Sequence, residues 1–144
     1  MVRTAIGTRK VLPQRNGEPA PAVTPSGNET GVRVVLHIGE RNPRTVSVAI
    51  TGTLIVGRGG GEGPQPDLDF SSYRAAEHGL SRQHAALHAV DSFLYVEDLN
   101  STNGTRINGF KLPPLRRYRL RSGDELEFGG LRVTIRILPQ AAQP

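Results

Sequence analysis

Hydrophobic and polar residues alternate most cleanly near the end of the chain, where Leu131, Val133, Ile135 and Ile137 are separated by Arg132, Thr134 and Arg136. A period of two puts the apolar set on one face of an extended backbone and the charged set on the other, so residues 131–138 read as a half-buried strand. Shorter runs suited to strands fall at 32–38, 45–50, 54–56, 85–90, 93–97, 105–107, 118–120 and 125–128. Asn-Gly and Gly-Gly pairs punctuate them. Many short strands broken by such turns favour an all-β, antiparallel sandwich over an α/β sheet. Only residues 72–78 suit a short helical turn, and there is no internal repeat of useful length.

Before Val32 the pattern is absent. Residues 11–31 are rich in Pro, Gly, Asn and Thr, including Pro13, Pro19, Pro21 and Pro25, so residues 1–31 read as a flexible tail. The globular part is expected to run from 32 to 138, followed by a short tail at 139–144. A chain of 144 residues fits one domain of that kind. It has no cysteine, which removes disulfides and thiolate metal sites. No apolar run reaches the roughly 18 residues of a membrane span, and the first ten residues lack a signal-peptide core. The expectation is a cytoplasmic protein with no membrane partner, metal or cofactor.

Net charge is +5, with a denser stretch at Arg116, Arg117, Arg119 and Arg121. Nucleic-acid binding through that stretch is the weaker reading. Asp124, Glu125 and Glu127 follow at once, apolar residues alternate with the charges, and Tyr118 alone offers an aromatic face. A solvated strand face accounts for it, while the net charge still suits an anionic ligand.

The candidate chemistry sits at the turns. Arg58 follows an apolar strand and Gly57, where its guanidinium offers a planar, permanently charged fork to a phosphate. Ser81 and Arg82 bring a hydroxyl and a second cation just before another strand. His84, at the base of that strand, reads as a structural histidine bonded to loop backbone. Asn100 to Thr105 mixes scaffold with function, because Ser, Thr and Asn fix loop shape through their own backbone while an amide such as Asn103 can both donate and accept. Assembling Ser81, His84 and Asp98 into a catalytic triad finds no Gly-x-Ser-x-Gly elbow, and Gly59-Gly60-Gly61 lacks the Gly-Lys-Ser/Thr of a P-loop. No catalytic residue is assigned.

Taken in order, Gly57-Arg58, Ser81-Arg82-Gln83-His84, Asp98-Leu99-Asn100-Ser101-Thr102-Asn103-Gly104-Thr105, Asn108-Gly109, Gly123-Asp124 and Phe128-Gly129 resemble the motif set of the forkhead-associated (FHA) domain family. The resemblance covers about residues 33–138. It implies a twisted β-sandwich of two sheets whose loops at one end bind a phosphothreonine peptide, without catalysis. By the same resemblance Arg58 and Ser81 contact the phosphate with Arg82 assisting, and Asn103 bonds the peptide backbone just after the phosphothreonine. Thr102 supports that loop, and Gly57, His84, Asn108 and Gly109 shape the site. Asp67-Leu68-Asp69-Phe70 resembles the family's short strand, although the glycine run before it is long, and loop shape there governs which following residues are accepted. The implied partner is a phosphothreonine-containing protein in a Ser/Thr kinase pathway, with no nucleic acid. A phosphorylation-independent docking module on the sheet faces is the alternative. Phosphorylation of a tail threonine, Thr4, Thr8, Thr24 or Thr30, would supply an intramolecular ligand.

Overall fold

The computed structural model describes residues 31–139. Within them lie β1 (Val32–Ile38), β2 (Arg44–Ile50), β3 (Gly52–Gly57), β4 (Leu68–Asp69), a 3-10 turn (Ser71–Tyr73), β5 (Ala85–Val90), β6 (Phe93–Asp98), β7 (Thr105–Ile107), β8 (Phe110–Lys111), β9 (Arg117–Leu120), β10 (Glu125–Phe128) and β11 (Leu131–Ile137). The tails expected at either end, and the four tail threonines, lie outside the described residues apart from Gly31 and Pro139.

Alternation translates into burial. In β1, Val32, Val34, Leu36 and Ile38 are buried, and in β11 Leu131, Val133 and Ile135 meet them across the register Leu36↔Ile135 and Ile38↔Val133. One sheet runs β2-β1-β11-β10-β7-β8, the other β4-β3-β5-β6-β9. Their facing sides enclose a single core, with Leu126 and Phe128 from the first sheet and Val56, Leu87, Val96 and Leu120 from the second. Phe70, Ala75, Leu80 and Leu112 enter it from the connections. Phe70 sits between Tyr73 and Phe128, 5.9 Å from each ring centroid.

Two features depart from the pattern read along the chain. β4 pairs with β3 in parallel, Val56↔Leu68 and Gly57↔Asp69, so the expected antiparallel pairing has one exception. β8 follows a tight turn in which Asn108 (φ 49) and Gly109 (φ 88) are both left-handed, the geometry that joins two twisted strands in a two-residue hairpin. The expected helical turn at 72–78 shrinks to Ser71–Tyr73, ending where Arg74 turns left-handed, after which turns carry the chain to Gly79.

The outer face of the second sheet holds a polar relay around the buried His88. Thr53 Oγ1 lies 2.9 Å from His88 Nδ1, and His88 Nε2 lies 2.8 Å from Glu97 Oε1. Burial first, and then Arg117, push His88 below the usual histidine range even though Glu97 pulls the other way. The neutral ring accepts from Thr53 and donates to Glu97. Arg119 stacks on Phe93 at 3.9 Å beside it, and Arg117 and Arg119 put positive charge on the β9 edge, a composition that disfavours edge-to-edge pairing.

Leu126, with no exposed surface, sits at the centre of the core. Leu126→Ala is expected to lower unfolding free energy by about 2–5 kcal/mol through lost burial and an uncollapsed cavity. Urea denaturation measures this, and a loss below about 1 kcal/mol would remove Leu126 from the centre.

Candidate functional site

Strand registers bring the motif-bearing loops to one end of the sandwich. Val56 pairs with Ala85 and Ala85 with Asp98, so β3 ends, β5 begins and β6 ends side by side. In the other sheet Phe128 pairs with Thr105, which puts the start of β7 and the Gly129-Gly130 turn at the same end.

Residues 78–81 have no strand partner there, and their carbonyls are satisfied from three directions. His78 O accepts from Gly130 N (2.7 Å) and Gly79 O from Asn103 Nδ2 (2.9 Å). Leu80 O accepts from Arg58 Nε (3.1 Å) and Ser81 O from Arg58 N (3.1 Å). The same bonds draw Arg58, Ser81 and Asn103 together. They also leave particular atoms over. Among the described residues, the two terminal nitrogens of Arg58 have no partner. Ser81 Oγ accepts from Thr102 N at 3.1 Å, which leaves its own hydrogen without an acceptor, and Asn103 Oδ1 is likewise unengaged.

His84 joins the two loops from beneath. The Ser81 N–H can only donate, so at 3.0 Å it requires an unprotonated Nδ1; the ring proton then sits on Nε2, which donates to Gly104 O at 2.9 Å. The ring is fully buried, edge-on to Phe128 at 5.8 Å. Burial pushes its pKa down, against smaller upward pulls from the Gly104 hydrogen bond and Asp98. Asp98 in turn knots the second loop, with Oδ1 accepting from Ser101 Oγ (2.6 Å) and Thr105 Oγ1 (2.7 Å), and Oδ2 from Ser101 N (3.1 Å). Ser101 and Thr105 are therefore architecture, and Thr102 and Asn103 form the exposed tip. No proton path links these groups as a triad: His84 faces the Ser81 amide rather than its hydroxyl, and Asp98 is occupied by its own loop.

Gly57 is required by a close approach. A Cβ there would overlap the Arg82 carbonyl oxygen and stand 2.8 Å from its carbon and 2.9 Å from Ser81 O. Arg82 is turned elsewhere than toward Arg58, lying against Gly61 and donating through Nη1 to Glu62 O. The loop it braces is also closed from within. Gln65 Oε1 accepts from Gly60 N at 2.7 Å, and its Nε2 donates to Gly63 O at 3.0 Å. Asp69, its carboxyl held below the usual range chiefly by the Ser71 hydroxyl, accepts from Gly59 N at 2.8 Å at the base. Sequence reasoning had left Gln65, Asp69 and Asp98 without these roles, although all three flank loop-forming residues.

Asn108 and Gly109 are not brought to this end, which corrects their expected part in shaping the site. They lie past the far end of β7, where Asn108 Oδ1 accepts from Glu125 N (2.9 Å) and Nδ2 donates to Asp124 (3.0 Å), clamping two turns together.

The FHA domain family model matches residues 54–129, more than half of the chain, and takes in Arg58, Ser81, His84 and the Asn100–Thr105 loop. The chain belongs to the FHA family. FraH of Nostoc sp. is 35% identical over 95 residues, covering 66% of this chain and 26% of FraH. The FHA domain-containing protein FhaA of Mycobacterium tuberculosis is 28% identical over 107 residues, 74% of this chain and 18% of FhaA. The chain thus spans about a quarter or less of the length of these two relatives. A solved structure from work on phosphothreonine-dependent FHA domain interactions superposes with a TM-score of 0.58 at 27% identity, covering 75% of this chain and 99% of that one. No helix among the described residues is long and apolar enough to cross a membrane.

Two expectations follow from the site. Gly57→Ala forces the Ser81-Arg82 backbone away, so stability should fall by about 1–3 kcal/mol, read by thermal or urea unfolding; an unchanged midpoint would mean that the approach is not tight. His84 and His88 both have folded-state pKa values below 6.5, so the unfolded chain binds protons first as pH falls. Stability should be level above about pH 6.5 and decline below it, by up to about 1.4 kcal/mol per pH unit for each ring. Urea midpoints flat from pH 7.5 to 5.5 would contradict neutral burial of both.

Proposed function

We propose that this FHA domain is a non-catalytic reader of phosphothreonine in partner proteins, with Arg58 and Ser81 on the phosphate and Asn103 on the peptide backbone after it. The observation that carries the reading is the set of unused polar atoms. The Arg58 fork, the Ser81 hydroxyl hydrogen and Asn103 Oδ1 all remain available at one loop end, while the rest of each residue is anchored. Donors fixed in advance lose little freedom when an anion arrives, and charge-assisted hydrogen bonds to phosphate are among the stronger ones available to a protein. Thr102 supports the tip through its backbone N–H on Ser81.

Arg82 has a supporting part in this reading, as the brace of the glycine-rich loop beside Arg58. Gly57 and His84 set the spacing between the loops, and Thr102 and Asn103 meet the ligand. The work on phosphothreonine-dependent interactions, done on an FHA domain 27% identical to this one, supports the ligand class. A cytoplasmic setting, where protein kinases act, belongs to the same proposal.

An intramolecular ligand from the tail is limited by chain length. Gly31 sits beside Ile50 and Thr51, at the end of β3 opposite Arg58, and six residues of strand span about 20 Å. Thr30, one residue from Gly31, has no reach across that distance. Thr4 and Thr8, 27 and 23 residues away, have ample reach.

Titration of labelled phosphothreonine, phosphoserine and unphosphorylated peptides against wild type and Arg58→Ala tests the proposal. One charge-assisted contact is worth about 1.5–3 kcal/mol, so the variant should bind at least tenfold more weakly. Equal binding of phosphorylated and unphosphorylated peptides would favour docking on the sheet faces instead.

A further inference from the structure

The sandwich has four strand edges, β2 and β8 in the first sheet and β4 and β9 in the second. An open edge offers unpaired N–H and C=O groups to any other strand, so folded proteins keep their edges short or charged. Two of these edges are short, since β4 and β8 have two residues each. A third is charged, with Arg117 and Arg119 on β9. β2 is neither. It runs for seven residues, and from Thr45 to Ile50 it reads Thr-Val-Ser-Val-Ala-Ile, free of charge, proline and glycine. Its one cation, Arg44, stands at the start of the strand with its guanidinium over the Tyr73 ring, 5.6 Å from the centroid.

Register decides which backbone groups of β2 are open. Leu138 N donates to Arg33 O and Gly39 N to Arg132 O, both at 2.9 Å, so the odd-numbered residues of β1 turn their backbone toward β11. The even-numbered ones turn toward β2, where Val34 faces Val48 and Leu36 faces Val46. Alternation within an antiparallel ladder then points the N–H and C=O of Thr45, Ser47 and Ala49 away from β1. These groups have no partner among the described residues.

The core is unfinished at the same edge. Val46 and Val48 pack against it but are only half-buried, whereas Val34 and Leu36 across from them are 1% and 2% exposed. One more strand beside β2 would cover both valines.

A second β2 is matched to this edge in backbone and side chain. Set antiparallel about a two-fold axis at Ser47, the two strands put Ser47 opposite Ser47 and Thr45 opposite Ala49, which uses the open N–H and C=O groups in hydrogen-bonded pairs. Val46 then faces Val48 in the closer, non-hydrogen-bonded pairs, where apolar side chains gain most. Arg44 falls opposite Ile50, so no like charges meet. The N-terminal segment of the same chain suits the edge less well, because Pro13, Pro19, Pro21 and Pro25 each lack the N–H that a ladder needs.

We propose that β2 is a dimerisation edge, through which two copies of this chain join antiparallel about Ser47 into one continuous sheet. Ile50 closes β2 at the end of the sandwich away from Arg58, so the two-fold axis turns the loop ends of the two copies in opposite directions and leaves both accessible. The shared strip is narrow, and association through it is weak and reversible.

Sedimentation equilibrium of the full chain, from about 10 to about 500 µM, covers the range of such weak association. The average mass should rise from that of one chain toward that of two. Ser47→Lys and Ser47→Glu each set like charges face to face at the axis, so either variant alone should associate at least about tenfold more weakly. Ser47 is exposed and its backbone is not bonded to β1, so both variants should keep the wild-type thermal midpoint at low concentration. An equal mixture of the two should regain wild-type association, because Lys then faces Glu. A wild-type mass of one chain throughout overturns the proposal and leaves β2 bare or covered by its own chain. Masses beyond two chains, dimers that survive in each variant alone, or a mixture that stays monomeric each overturn pairing about Ser47.

Discussion

Four consecutive backbone carbonyls, from His78 to Ser81, lie at the end of the sandwich without a strand to pair with, and the whole site follows from how they are satisfied. Unpaired polar backbone away from water costs as much as a lost hydrogen bond, so such groups find partners. Here the partners are Gly130 N, Asn103 Nδ2, Arg58 Nε and Arg58 N. One segment therefore fixes the residue just after β3, the β6–β7 loop and the β10–β11 turn. Arg58 and Asn103 each give part of their hydrogen-bonding capacity to the scaffold and leave the remainder unengaged.

Beneath that segment, His84 and Asp98 act as opposite kinds of anchor. His84 is neutral and uses one ring nitrogen as acceptor and the other as donor, so a single buried residue reads two loops and sets their separation. Asp98 is an acceptor only, and gathers two hydroxyls and an amide from its own loop. Gly104 O, which accepts from both His84 Nε2 and Gly129 N, is where this base meets the first sheet, at its β10–β11 turn. The loops are thus held in shape by the sandwich before any peptide arrives, which lowers the ordering cost of binding.

The parts legible from the chain alone were those carried by repetition or by a required residue type. Alternation located nine strands to within two residues at either end, because a buried face imposes a period that a few residues suffice to display. Two-residue strands display no period: β8 went unseen and β4 was visible only through family resemblance. Arg58, Ser81, His84 and Asn103 stood out as members of an ordered set of motifs, each weak alone, that together resemble the FHA family. Their directions were another matter. Arg82 turning onto Gly61, Asn108 working at the far end of β7, and the Thr53–His88–Glu97 relay all depend on which residues lie across space, and nothing local records that. Family motifs mark positions that matter to the fold as well as to the ligand, and Asn108 belongs to the first kind.

The stretch between Arg58 and Asp69 has a property that bears on descent. Gln65 closes it on its own backbone, Asp69 secures its base, and Arg82 touches it from outside, so most of its bonds start and finish within it. A segment tied up in this way can lengthen, shorten or be exchanged between proteins as a cassette, with the two sheets left as they are. The sandwich and its other loops can then stay as they are while about a dozen residues beside Arg58 change, so the surface next to the conserved fold is the part that varies at least cost to stability.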